Sequence, residues 1–133
     1  MKHVTIIYCK YVDDICVLAK NNDQVLKVRH SFISNSVLNF TYELEKSKKL
    51  SFSDVTVTRG SNGLLTSLYI KLTHDNQTLS YVNIAPFKYK VSTIKTLLHC
   101  GFAVSGSWSA FHAEVTRIKC LLNNNNFPIK LKN

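Results

Sequence analysis

The hydrophobic pattern of this 133-residue chain changes its period once, near Pro86. Before that proline, short runs of β-branched and aromatic residues alternate with polar residues, which is typical of strands. After it, apolar residues recur every three or four positions over residues 90–102 and 109–124, as on one face of a helix. A chain of this length has room for one compact domain. We therefore predict an α+β fold that ends in a helix-turn-helix-like pair from about residue 87 to residue 125.

The clearest strand signal is VTIIYCKYVDDICVLAK at residues 4–20. Two β-branched and aromatic runs flank Val12 and Asp13, which is the pattern of a tight hairpin. A two-residue loop at this point fixes the register of the two strands. The predicted cross-strand pairs are Tyr11 with Asp14, Lys10 with Ile15, and Cys9 with Cys16. Asp13 then lies at the tip and Asp14 beside it.

Further elements are predicted before Pro86. Asn and Asp capping residues followed by an apolar face predict a helix over residues 22–37. The sequence GSNG at residues 60–63 predicts a turn. Alternation of apolar and polar residues predicts strands at 39–46, 50–59, 64–72 and 78–82.

The charge of the chain is strongly positive and uneven. Seventeen Lys and Arg against eight Asp and Glu give a formal net charge of +9. Residues 60–133 hold eight of the basic side chains but only two of the acidic ones, Asp75 and Glu114. This half is therefore expected to face a polyanion such as nucleic acid or anionic lipid.

The four cysteines form no CxxC pair and stand at no zinc-finger spacing from a histidine, which argues against a structural metal site. No apolar run approaches the roughly 18–20 residues that cross a bilayer. The first carboxylates come before any small-residue cleavage site. We expect an intracellular chain with reduced thiols and no membrane partner.

The tetrapeptide YVDD at residues 11–14 carries the strongest chemical signal. Polymerases need carboxylates that hold two Mg²⁺ ions about 3.5–4 Å apart, one for the primer 3′-hydroxyl and one for the incoming triphosphate. A hairpin turn would present Asp13 and Asp14 close to such a substrate. The alternative is a solvated turn, in which Asp simply favours the turn conformation.

Four further segments follow the YVDD hairpin in order. They are FTYELEKSKKLSFSDVTVTR, TSLYIKLTHDNQTLSY, APFKYKVSTIKTLL and EVTRIKCLLNNNNFP. In this order the chain resembles, from about residue 8 to residue 129, the palm and thumb of reverse transcriptases of the Penelope-like retroelement family. The resemblance implies that residues 1–84 form the C-terminal part of the palm and residues 85–133 the helical thumb. It also implies RNA-templated addition of deoxynucleotides to a DNA primer in the nucleus, with deoxynucleoside triphosphates as substrates.

The same resemblance assigns roles to individual residues. Asp13 and Asp14 would hold Mg²⁺ as the catalytic carboxylates, and Tyr11 and Val12 would lie near the incoming nucleotide or the primer end. Four lysines would contact nucleic acid: Lys71, Lys88, Lys90 and Lys95. Asp54 matches an Asp of the family's palm, where we expect a structural role or an exposed place on an edge strand.

The chain also departs from the family's pattern. Ile70 and Leu72 replace an arginine and a proline, Ala85 replaces a histidine, and Cys100 replaces an arginine. Each lost cation weakens contact with a phosphate backbone.

In the family, a further palm carboxylate and the fingers lie upstream of the hairpin, whereas the other acidic residues of this chain lie downstream of it. We therefore expect this chain alone to be inactive as a polymerase. The alternative function is a non-catalytic nucleic-acid-binding module or an inert remnant of a decayed element.

Aromatic residues near the junction of the two C-terminal helices have two interpretations. Phe102, Trp108 and Phe111 could stack on nucleic-acid bases. Aromatic residues at helical spacing more often belong to a core, and we expect that here. The five histidines show no catalytic grouping and are expected at or near the surface.

Overall fold

The computed structural model describes residues 7–128 and residue 130. Within this range the chain is a mixed α+β protein with three helices and two small antiparallel sheets, which confirms the predicted fold class at that level. The chain divides into two compact units, residues 1–47 and residues 48–133. The palm and thumb boundary predicted at residue 84 falls inside the second unit and stays a prediction.

The first unit begins with the predicted hairpin. Strand β1, Ile7–Tyr11, pairs antiparallel with strand β2, Asp14–Leu18, across a two-residue turn. The predicted register is confirmed at each specified pair: Tyr11 with Asp14, Lys10 with Ile15, and Cys9 with Cys16. Residues 4–6 of the predicted hairpin lie outside the described residues.

Helix α1, Asn22–Ser34, follows the hairpin. It begins as predicted because the side-chain oxygen of Asn21 accepts a hydrogen bond from the backbone N–H of Gln24 at 3.0 Å. That bond satisfies one of the donors that the first turn of a helix leaves unpaired. The helix ends three residues earlier than predicted, with Asn35 as its C-cap.

The strand predicted for residues 39–46 is wrong, because this segment is almost wholly irregular. It packs on α1 instead. The rings of Phe40 and Phe32 lie 5.5 Å apart, and the Arg29 Nε donates to the Phe40 carbonyl oxygen at 3.4 Å. The Arg29 guanidinium also lies 5.0 Å from the centre of the Tyr42 ring. Phe40 and Tyr42 therefore pack against side chains of α1 and not against neighbouring strands.

The sheet of the second unit consists of two successive hairpins. Its strands are β3, Lys49–Phe52, β4, Val55–Gly60, and β5, Gly63–Leu68. The single strand predicted over residues 50–59 is wrong, because the chain turns at Ser53 and Asp54, where Ser53 has a φ of +55°. The turn predicted at GSNG is confirmed, since Gly60 pairs with Gly63 across it.

Two helices close the second unit, as predicted. They are α2, Phe87–Val104, and α3, Trp108–Asn124. The link between them is only residues 105–107. The Ser107 hydroxyl accepts a hydrogen bond from the Ala110 N–H at 3.2 Å and so caps α3. No helix in the described part of the chain is long and apolar enough to cross a membrane.

The core of the second unit lies between α2 and α3. Its buried apolar side chains are Ile118, Leu121, Leu122 and Phe127. Partly buried residues that pack against them are Tyr81, Ile94, Leu97 and Leu98. The rings of Tyr81 and Phe127 lie 5.5 Å apart, so the segment before α2 also contributes to this core.

A buried asparagine holds that segment in place. The Asn125 side chain accepts from the Thr78 N–H at 3.2 Å and donates to the carbonyl oxygens of Asn76 at 3.1 Å and Leu121 at 2.8 Å. The Tyr81 N–H donates to the Asn125 carbonyl oxygen at 2.9 Å. The strand predicted at residues 78–82 is wrong, because this backbone bonds to the end of α3 instead of to a sheet.

Candidate functional site

The tip of the first hairpin gathers the four residues of YVDD. Val12 and Asp13 form the turn, Tyr11 ends β1 and Asp14 begins β2. Both carboxylates are exposed, and Tyr11 and Val12 are 60% and 69% exposed. The tip therefore presents two adjacent carboxylates and an aromatic ring to solvent.

The backbone at this tip is strained. Val12 has a φ of +49°, in the left-handed region that a β-branched residue rarely adopts. Such a conformation costs about 1–2 kcal/mol. Strained residues of this kind cluster at functional sites, where the surrounding structure holds them.

The hairpin tip carries two carboxylates that could serve as ligands of a metal ion. Within residues 7–128 and 130, no group of three or more His, Cys, Asp or Glu residues is placed to hold a metal ion. Mg²⁺ in nucleotide-processing sites is commonly held by one or two carboxylates, with waters and substrate phosphates completing the octahedron. Asp13 and Asp14 fit that partial role.

Two thiols lie on the same hairpin as the carboxylates, two cross-strand pairs farther from its tip. Cys9 and Cys16 face each other across the two strands, and Cys16 is half-buried. Burial raises the pKa of the Cys16 thiol, and the neighbouring Cys9 raises it further.

The structure separates the lysines predicted on α2. Lys95 lies seven residues after Lys88, nearly two helical turns, so the two exposed side chains share one face. Lys90 points to about the opposite side, where it is half-buried with its Nζ 5.0 Å from the centre of the Tyr81 ring. Lys71 is exposed in the irregular segment after β5. The face with Lys88 and Lys95 is the stronger candidate for contact with phosphates.

Asp54 does not lie on an edge strand. It occupies the exposed turn between β3 and β4, and its carbonyl oxygen accepts from the Tyr69 N–H at 2.8 Å. This bond uses only the backbone of Asp54, so the structural role predicted for its side chain stays a prediction.

The prediction that the helical aromatics are core residues is wrong for two of the three. Trp108 is 69% exposed and Phe102 is 59% exposed, while Phe111 is half-buried. Trp108 is the first residue of α3, whereas the buried Ile118 and Leu122 lie in the second half of that helix. The three rings form an exposed aromatic cluster at the turn between α2 and α3, here called the aromatic cluster.

Comparisons with protein-family models, with curated proteins and with solved structures found no match to this chain.

Proposed function

We propose that this chain is the C-terminal palm and thumb portion of an RNA-directed DNA polymerase similar to those of Penelope-like retroelements. In this proposal the hairpin tip contributes two carboxylates to a Mg²⁺ site, and the exposed lysine face of α2 holds the primer–template duplex. The observation that carries the proposal is the two-residue turn of the hairpin, which leaves Asp13 and Asp14 adjacent and exposed.

The carboxylates would act as ligands and orienting groups. Bound Mg²⁺ would lower the pKa of a primer 3′-hydroxyl and neutralise charge on the triphosphate. Asp13 at the turn and Asp14 at the start of β2 would fix where such an ion lies relative to the strand end. The exposed side chains of Tyr11 and Val12 would form the adjoining surface for the nucleotide or the primer end.

The second unit supports the nucleic-acid part of the proposal. Residues 48–133 hold eleven Lys and Arg against three Asp and Glu, a net charge of +8. Helix α2 carries no acidic residue, and the one acidic residue of α3, Glu114, is buried and paired with Arg117 at 2.6 Å. The potential at the helices is therefore one-sided and attracts phosphates.

A second candidate function is a non-catalytic nucleic-acid-binding module. The exposed face with Lys88 and Lys95 favours it, because phosphate contacts by lysine need no metal ion. The two functions differ in whether the hairpin tip selects a divalent cation.

The test uses Mn²⁺ as a paramagnetic substitute for Mg²⁺ on ¹⁵N-labelled protein with an RNA–DNA hybrid and a deoxynucleoside triphosphate. We expect amide broadening centred on residues 11–15 at low Mn²⁺, and its loss in Asp13→Asn and Asp14→Asn. The matched control is Asp54→Asn, which removes an exposed carboxylate from a different hairpin turn. Equal broadening at both turns would contradict the polymerase proposal. Hybrid binding that persists without such selectivity would favour the binding module.

A further inference from the structure

The geometry points to a second nucleic-acid site in the helical pair: the aromatic cluster of Phe102, Trp108 and Phe111 stacks on unpaired bases of a single strand. This inference rests on the proposed function, because it assumes that the second unit binds nucleic acid. It goes beyond that function, because a palm and thumb grip addresses the paired primer and template, whereas this site takes unpaired bases.

The three rings form a compact, outward-facing group. The centre of the Phe102 ring lies 5.4 Å from that of Phe111 and 6.3 Å from that of Trp108. The Trp108 and Phe111 rings are 6.0 Å apart, and the His112 ring lies 6.2 Å from Trp108. Because Phe102 and Trp108 are both more than half exposed, they offer ring surface to a ligand instead of covering each other.

Exposed aromatic rings of this kind can stack on nucleic-acid bases. Each stacked base strengthens binding, and the contribution tolerates any sequence because every base has a π-face. Exposed apolar groups of this kind mark interaction sites on soluble proteins.

Exposed lysines lie on both of the helices that carry the cluster. On α2, Lys88, Lys95, His99 and Phe102 follow one another at seven, four and three residues, so they lie along one exposed face. That face is about 21 Å long, from the helical rise of 1.5 Å per residue. On α3, Trp108 and the exposed Lys119 are eleven residues apart, close to three turns, and share a face as well. Positive charges beside exposed rings favour an anionic chain that also carries flat apolar groups, which describes a single-stranded nucleic acid.

The turn between the helices favours a base over a lipid. Ser105, Gly106 and Ser107 line the open pocket beside the aromatic rings. The Ser107 hydroxyl accepts from the Ala110 N–H and still has its own hydrogen to donate, while the Ser105 hydroxyl donates to the Gly101 carbonyl oxygen and can still accept. Base edges can form hydrogen bonds with both groups, whereas acyl chains cannot.

The turn is also anchored, so the cluster is preorganised. The Gly106 N–H donates to the Thr66 carbonyl oxygen at 2.8 Å, and the Thr66 hydroxyl donates to the Val104 carbonyl oxygen at 2.8 Å. Both bonds fix the helix junction to β5. Little conformational entropy is lost when a base stacks on rings that are already held in place.

Trp108 is the single tryptophan of the chain, so its fluorescence reports on this site directly. The experiment titrates the full chain with a 12-nucleotide oligothymidylate, an abasic deoxyribose-phosphate oligomer of the same length, and anionic phospholipid vesicles. We expect quenching of Trp108 by the oligothymidylate only. Phe102→Leu should weaken oligothymidylate binding at least about fivefold. The matched control Phe87→Leu removes an exposed phenyl ring at the start of α2 and should change binding less than about twofold.

Three outcomes would overturn the inference. Equal quenching by the abasic oligomer would show binding through phosphates alone. A blue shift with vesicles and no response to the oligothymidylate would assign the cluster to a membrane surface. Binding of the RNA–DNA hybrid with Trp108 unresponsive to the single strand would remove the stacking site and leave the proposed function standing. Absence of hybrid binding by the folded protein at low salt would count against the proposed function itself.

Discussion

The N–H of Gly106 donates to the carbonyl oxygen of Thr66 at 2.8 Å, and a Cβ on residue 106 would lie 2.9 Å from the Thr66 nitrogen and hydroxyl oxygen. The turn between α2 and α3 thus approaches the backbone of β5 too closely for any side chain. This contact fixes the position of the aromatic cluster relative to the three-stranded sheet of the second unit.

Gly106→Ala should destabilise the second unit by about 1–3 kcal/mol, because either the turn or β5 must shift to admit the methyl group. Urea denaturation followed by circular dichroism measures the loss. Ser109→Ala, an exposed change on the first turn of α3, is the control and should stay within about 0.5 kcal/mol of the parent. A Gly106→Ala protein as stable as this control would contradict the close approach.

Gly101→Ala should also destabilise, although alanine is the better helix former by about 1 kcal/mol. A Cβ at this buried position of α2 would lie 2.7 Å from the Glu114 Cγ, and Glu114 is held by three hydrogen bonds from Arg117. In a Glu114→Ala background the clash is gone, so Gly101→Ala should become neutral or stabilising. A double-mutant cycle by thermal denaturation measures this change of sign. Simple additivity of the two substitutions would refute the contact.

Asn125→Ala should lower the free energy of unfolding by about 2–3 kcal/mol, because three side-chain hydrogen bonds are lost at a site only 8% exposed. The Thr78 amide, which donates to Asn125, should exchange its hydrogen faster in the variant. Asn124→Ala removes a neighbouring exposed amide and serves as the control. Equal stability of the two variants would show that Asn125 does not organise this segment.

The Cys16 thiol should react with an alkylating reagent more slowly than the exposed Cys100 at pH 8, because only the thiolate attacks and the pKa of Cys16 is raised by burial and by Cys9. Its rate should keep rising with pH beyond the range in which an ordinary thiol levels off. Cys9→Ala removes one of the two causes and should move that rise to lower pH. Peptide mapping by mass spectrometry across a pH series follows each cysteine. A profile of Cys16 unaffected by Cys9→Ala would argue against coupling across the hairpin.

Removal of the exposed lysine face of α2 should change the salt dependence of RNA–DNA hybrid binding. The double variant Lys88→Ala, Lys95→Ala should reduce the slope of log K against log salt by about two, one for each phosphate contact. Lys90→Ala should reduce it less, because that ammonium lies over Tyr81. The charge-matched control Lys20→Ala, Lys27→Ala lies in the first unit and should leave the slope unchanged. Equal slopes for both double variants would mean that binding follows net charge alone.

The sequence predicted those features that depend on local geometry. The two-residue loop at Val12 and Asp13 fixes the hairpin register without reference to any other part of the chain, and the register is confirmed. The two C-terminal helices are likewise confirmed, since their apolar period extends over several turns. The same two-residue loop also predicted that Asp13 and Asp14 lie at the hairpin tip, which is the candidate site.

The two wrong strand predictions at residues 39–46 and 50–59 have different causes, the first a non-local partner and the second a local turn signal. Alternation over residues 39–46 fits a strand, but nothing in it says that Arg29 and Phe32 of α1 would pack against this segment. The break at Ser53 and Asp54 could have been found, because Ser-Asp is a turn signal inside the alternating run.

The exposure of the aromatic cluster could not have been predicted from the sequence. Helical spacing gives the face on which Trp108 lies, but not whether another element covers that face. The anchoring of the α2–α3 turn to Thr66 depends on a sheet contact 40 residues earlier in the chain and carries no local signal.

The hairpin that carries Asp13 and Asp14 belongs to a unit whose described residues, 7–47, include no fully buried side chain. A two-stranded ribbon by itself is marginally stable in water, so we expect the closed form of this hairpin to exchange with open forms. Under the proposed function, the closed form sets the positions of Asp13 and Asp14, and a cation that needs both would bind with an affinity scaled by the closed fraction. Pairing of another strand with the edge of β1 or β2 would raise that closed fraction. The affinity for the cation would then increase although Asp13 and Asp14 were unchanged. Strand pairing at the edge of the hairpin and cation binding at its tip would therefore be thermodynamically linked.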